Sequence, residues 1–244
     1  MNILLELSLI FFIGSVFGWV TELLFRRFIS SANPERKWIN PGFCTGPYLP
    51  LYGVGLCVLF LVANLEKYRF TQNSFLNKIV LFIIMSILMT VIEYIAGIIA
   101  LKVSNIRLWD YSDKWGNIKG IICPEFSLIW ALLGGIYYFA IHPLIKDSVR
   151  WLSENLAFSF FIGLFFGVFI IDVVHSMQLV AKLKKYADEN KVIIRYEQIK
   201  LHIRNSYEQT AKKYRFFHPF SADRPVLEYI KDIKGTLEEH QKKK

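Results

Sequence analysis

The sequence predicts an all-helical protein that crosses a membrane about five times and carries a helical tail beyond the last crossing. Three observations lead there. The 244 residues are 54% hydrophobic and 16% aromatic with a mean hydropathy of +0.35, well above the range of a soluble domain. Five apolar runs each approach the roughly 20 residues that a helix needs to cross a bilayer. Within them, blocks such as residues 79–89 and 158–171 hold no charge and no alternating polarity, so the crossings are helices and not barrel strands.

The first span is expected near residues 3–25. It starts Met1-Asn2-Ile3 with no basic stretch before it and no small-residue cleavage pattern after it, which predicts a retained span and not a removable signal. Residues 40–53 follow, with Asn40, Pro41, Gly42, Gly46, Pro47, Tyr48, Pro50, Tyr52 and Gly53; three prolines and three glycines rule out regular helix in its first part. Irregular backbone at a membrane face has to be buried in protein or line a wet cavity. The loop is therefore expected to wall a pocket or to re-enter the membrane. Spans two and three are placed near 47–65 and 78–101. The next loop holds Leu108-Trp109-Asp110-Tyr111-Ser112, whose aromatic pair suits the headgroup layer, with Asp110 as anchor or polar contact. Spans four and five are placed near 125–145 and 156–180.

Basic residues set the expected orientation. Arg26, Arg27, Arg36 and Lys37 in the first loop, and Lys102, Arg107, Lys114 and Lys119 in the third, outnumber Lys67, Arg69 and Lys78 in the second and Lys146 and Arg150 in the fourth. The positive-inside bias then puts the N-terminus outside and the tail in the cytoplasm. The tail, 181–244, holds 16 Lys and Arg against 9 Asp and Glu, beginning with Lys182, Lys184 and Lys185. Anionic lipid is its expected partner, at about 1 kcal/mol per nearby cation, and nucleic acid is not. Tyr196, Ile199, Ile203, Tyr207, Ala211 and Tyr214 recur at helical spacing, which predicts a helix docked on membrane or partner. His218-Pro219 and Pro225 punctuate the tail, and a last helix is expected from Pro225.

Acids inside spans are costly, so each is a functional candidate. With this topology Glu22, Glu93, Glu125 and Asp172 with His175 fall at one depth, and Asp172 and His175 share a helical face. They are expected to line a pocket open to the cytoplasm that binds a cation, binds a basic or hydroxylated ligand, or relays a proton. The plainer reading makes Glu22 and Glu125 interfacial residues in water, and Glu93 and Asp172 interhelical hydrogen-bonding groups. A slight internal likeness pairs 18–22 and 44–53 with 89–93 and 123–130. It would place a site where two parallel repeats meet, and chance similarity between apolar segments accounts for it equally well.

The runs 40–53, Leu108-Trp109-Asp110-Tyr111-Ser112, and 120–130 with Cys123 and Phe126-Ser127-Leu128 resemble the bacterial family labelled putative ABC-transporter type IV (CmpB-like), over residues 5–180. The resemblance implies a multi-pass protein of the cytoplasmic membrane with a permease-like role. Pro124-Glu125 departs from it, because apolar residues are expected there. No Gly-x-x-x-x-Gly-Lys-Ser/Thr run occurs, so ATP hydrolysis would need a separate ATPase subunit. Five spans are few for a translocation path, which points to a homo-oligomer. Gly14 with Gly18 and Gly163 with Gly167 offer close helix packing within or between chains. A membrane enzyme acting on lipid through Glu93 or Asp172 with His175 is the first alternative, but no nucleophile motif accompanies it. A noncatalytic adaptor that recruits a partner through the basic tail is the second. No cofactor or metal is implied, and Cys44, Cys57 and Cys123 are expected to be free thiols.

Overall fold

The computed structural model of the chain describes residues 3–68, 70–190, 192–209, 215–217 and 226–234, side chains of Ser153, Leu156 and Asn190 aside. Ala211, Tyr214, His218, Pro219 and Pro225, on which part of the tail reading rests, lie outside the described residues. Five segments are long and apolar enough to cross a membrane: Ile3–Phe28, Pro50–Lys67, Ser74–Ser104, Pro124–Leu152 and Ala157–Glu189. The chain is an all-helical, multi-pass membrane protein.

The helices are α1 (Ile3–Phe28), α2 (Pro50–Ala63), α3 (Ser74–Ser104), α4 (Pro124–Ile136), α5 (His142–Glu154), α6 (Leu156–Asn190) and α7 (Tyr196–Gln209). Proline decides where two of them start. Pro50 and Pro124 each stand in the first turn, where a missing N–H costs nothing, and Leu49 and Cys123 before them are extended. The first loop therefore stays irregular through Leu49, and α2 begins a few residues later than expected. A π-helical turn, Tyr137–Ile141, joins α4 to α5 just before Pro143, which has no N–H to give. α6 runs about ten residues past the expected end of span five, because no Gly or Pro occurs between Gly167 and Pro219. Lys182, Lys184 and Lys185 thus ride on a continuation of the spanning helix.

The chain forms two compact units. The first comprises residues up to Trp19, Tyr48–Ala96 and Tyr111–Phe169. Its core gathers Ile10, Leu59, Phe60, Leu81, Met85 and Trp130. α1 and α2 approach closely here: a Cβ on Gly18 would lie 2.2 Å from Cγ of Tyr52, and one on Gly14 2.8 Å from Cβ of Leu56. Gly163 and Gly167 have nothing within 4 Å of such an atom. Phe11 and Phe12 of α1 meet Phe165, Phe166 and Phe169 of α6 at ring separations of 4.5–5.6 Å.

The second unit comprises Val20–Pro47, Gly97–Asp110 and the chain from Ile170. It contains the C-terminal ends of α1, α3 and α6, with α7 and helical residues 226–234. Strands β1 (Ile106–Arg107) and β2 (Ile194–Arg195) pair in parallel within it. Ile106, Leu183, Ile194, Ile199, Ile203 and Ile230 form its core. The described part of the tail stripe, Tyr196, Ile199, Ile203 and Tyr207, packs on this core, so α7 docks on its own chain.

Candidate functional site

In the second unit the irregular loop is held from two sides. Asn40 first folds the loop on itself: its Nδ2 donates to the carbonyls of Cys44 and Thr45, each at 3.1 Å, and its Oδ1 accepts from Gly42 N at 3.3 Å. Asp172 of α6 then takes the N–H side. Its Oδ1 accepts from Thr45 N at 3.1 Å, from the Thr45 hydroxyl and from Ser176 Oγ at 3.1 Å, and its Oδ2 accepts from Gly46 N at 2.8 Å. Four donors around one acceptor-only group suit a carboxylate, and Asp172 is 8% exposed. His175 is exposed while Ser176 is fully buried. Of the two turn-spaced neighbours of Asp172, the serine at i+4 shares its buried face, whereas the sequence expectation paired Asp172 with the histidine at i+3.

Lys200 of α7 takes the carbonyl side, giving Nζ bonds to Asn40 O at 2.7 Å and Gly42 O at 2.5 Å, with Nζ 4.3 Å from the centre of the Tyr196 ring. Burial and then the nearby Arg26 charge press its pKa well below the ordinary lysine value. Burial, assisted by the Asp172 charge, pushes the Cys44 thiol up to about 12, so that thiol is inert while covered. Along the same edge, Arg204 donates to Trp38 O at 2.9 Å, Arg26 bridges Glu22 at 2.9 Å and Glu197 at 3.0 Å, and Lys37 bonds Asn205 and Glu208, both at 2.6 Å. Asp110 pairs with Arg107 at 2.7 Å and Arg195 at 3.2 Å. Glu22 is thus ion-paired and only part-buried.

In the first unit Glu93 of α3 is 3% exposed and accepts from the Tyr111 hydroxyl at 3.2 Å. Tyr111 stacks on Phe126 of α4 with ring centres 4.2 Å apart and planes 12° from parallel. Two separate sequence runs, 108–112 and 120–130, therefore converge on one span acid. Glu125 is exposed and pairs with Lys114 at 3.0 Å. Tyr137 and His142, both buried, hydrogen-bond at 3.0 Å across the π turn. Sequence reasoning passed over Glu6, which is buried in the first turn of α1 with Oε1 lacking a hydrogen-bond partner among the described residues. Its signal was present, as one acid interrupting an apolar run. Sequence reasoning also passed over Lys200 as one more basic tail residue.

Among the described residues no three His, Cys, Asp or Glu side chains converge as a metal site would require. No curated protein and no solved structure matches the chain. A family model does match, over residues 9–177, a stretch that contains Glu93, Asp172 and the runs 40–53, 108–112 and 120–130. The chain therefore belongs to the family described as putative ABC-transporter type IV.

Proposed function

We propose that this protein is a permease-like component of a membrane transporter, with its N-terminus outside and its C-terminus in the cytoplasm, that works with a separate ATPase subunit. One observation supports the reading beyond family membership. Runs that lie within the stretch matched by the family are bonded to acids in the spans: Thr45 and Gly46 to Asp172, and Tyr111 to Glu93. Loops that served only as connections would not draw charge into the membrane, where it is costly. In this reading Asp172 holds the loop of the second unit in shape. Glu93 and Tyr111 supply the polar lining that meets a ligand or coupled cation, and Glu22, Glu125 and His175 stand nearer water. The exposed Lys182, Lys184 and Lys185 face anionic lipid. Open Gly163 and Gly167 suit packing against a second copy of the chain.

The test has two arms. Cysteines placed at Ser112 and Pro47 should react with an impermeant maleimide in inverted vesicles and not in intact cells; reaction from outside would reverse the orientation. In a strain lacking the protein, Glu93→Gln should fail to restore the wild-type phenotype, while charge reversal at Lys182, Lys184 and Lys185 should restore it. The opposite pattern would favour an adaptor acting through its basic surface.

A further inference from the structure

The loop at 35–43 turns a row of backbone acceptors toward α7. The carbonyls of Trp38, Asn40, Gly42 and Phe43 accept from Arg204, Lys200, Lys200 and the Tyr196 hydroxyl in turn. The donors sit at 196, 200 and 204, four residues apart, and so lie along one edge of the helix. Lys37 on the loop adds a reciprocal grip on Asn205 and Glu208. The loop belongs to the stretch matched by the family, residues 9–177, and the helix lies beyond it.

The grip is unusual in what it buries. Lys200 has lost its water, yet it gives its protons to neutral carbonyls and a ring face. Among the described residues no carboxylate oxygen lies within ion-pair distance of it. Desolvating a cation is expensive, and here the opposing Glu197 charge acts only from beyond ion-pair distance, so much of the Coulomb energy of a close buried pair is missing at the centre of this contact. The pairs that do carry charge, Lys37 with Glu208 and Arg204 with Glu208, lie at the exposed edge, where water weakens them. The polar contacts therefore add little to the hold on the loop, and release of α7 is opposed mainly by its apolar face, where Ile199 and Ile203 are fully buried in the core of this unit.

We propose that the acceptor-lined face of residues 38–43 is a docking site for a cationic helix, filled here by α7 of the same chain as a releasable strap. Releasing it uncovers the loop and the Asp172 cradle while the first unit stays intact. The strap leaves the transporter reading untouched, and its test needs no transport substrate.

Two native thiols report on it. Cys44 is buried in the strapped unit, and Cys123 is buried in the other. The full-length protein in detergent would be exposed to a maleimide and each site followed by peptide mass spectrometry. In the wild type Cys44 should react at least about tenfold faster than Cys123, since local opening precedes global unfolding. Lys200→Glu, which faces two carbonyls with a carboxylate, should speed Cys44 by a further factor of about ten or more and leave Cys123 unchanged. A synthetic peptide of residues 194–209, added to that variant, should restore protection of Cys44, and the same peptide carrying Lys200→Glu should not. Equal rates at the two thiols in the wild type, or a variant in which Cys44 is no more reactive, would overturn the strap. Acceleration of both thiols together would also overturn it, by showing that α7 is an inseparable part of the folded core.

Discussion

The two units solve the problem of polar groups in opposite ways. The first holds seven Lys and Arg against seven Asp and Glu; the second holds 22 against 13, and so carries the whole formal charge of +9. In the first, helices meet through glycine and interlocked aromatic rings, and one of its buried acids, Glu93, is met by a tyrosine hydroxyl. In the second, an isoleucine-rich core is ringed by ion pairs, and the buried acid Asp172 is met by backbone amides of an irregular loop. Neutral donors fix a helix pair locally. Backbone donors from a segment some 127 positions away fix a tertiary fold, so the second unit depends far more on single polar side chains.

That contrast can be broken most forcefully at Asp172. Asp172→Ala leaves two part-buried amides and two hydroxyls without their acceptor, at about 1–3 kcal/mol for each donor that water fails to reach. A loss of about 3–5 kcal/mol, the cost of breaking a buried charge from its partners, is expected in a detergent melt, with Cys44 exposed before Cys123. A smaller effect is expected in the first unit. Gly18→Leu drives a side chain into the Tyr52 ring and should cost about 1–3 kcal/mol, whereas Gly163→Leu enters space that is open within one chain and should leave the melting temperature of the isolated protomer unchanged. Equal effects would mean that the glycine contact between α1 and α2 contributes nothing.

The smallest effect is one of pH. Hydrogen bonding to Lys37 lowers the pKa of Glu208 and of Glu35, and the same contacts raise that of Lys37. The carboxylates are stabilising above their unfolded values near 4.5, and this is lost as pH falls through the lower folded values. The lysine is stabilising below its unfolded value near 10.5, and this is lost as pH climbs past it. Glu35 and Glu208 are exposed and Lys37 is only part-buried, so the change should be slight, abolished by salt, and seen as a rise in the ratio of Cys44 to Cys123 labelling after a brief exposure to either extreme and labelling at one common pH. Lys200 works in the other direction. Its depressed folded value means the unfolded chain binds more protons between that value and 10.5, so its contribution improves as pH rises through that window.

Much of the architecture was legible in the residues. Apolar length gave five crossings, because burial in lipid leaves a composition that nothing soluble imitates. Pro50 and Pro124 set helix starts through a constraint local to the residue and its neighbour, although apolar length alone had placed those starts at 47 and 125. The candidate acids were legible only as isolated anomalies. Asp172 was singled out, but its partners Thr45 and Gly46 are remote in the chain, and no local pattern announces a long-range hydrogen bond. Its neighbour was misjudged because spacings of three and four are both compatible with one helical face, and only packing chose Ser176 over His175. The stripe on α7 was visible without its target, since periodicity tells that a face is covered and not by what. Lys200 hid among surface lysines because its burial depends on carbonyls some 160 residues earlier.

α6 runs 35 residues without a break, which at about 1.5 Å per residue makes a rod of roughly 50 Å. Within the second unit one stretch of it carries Asp172, which grips the loop, and Asp188, bonded to Asn105 at 2.5 Å beside the strand pair. Those two fixtures are 16 residues apart, or about 24 Å along an unjointed axle. Any turn of that axle is delivered to both ends at once, like torque through a crankshaft.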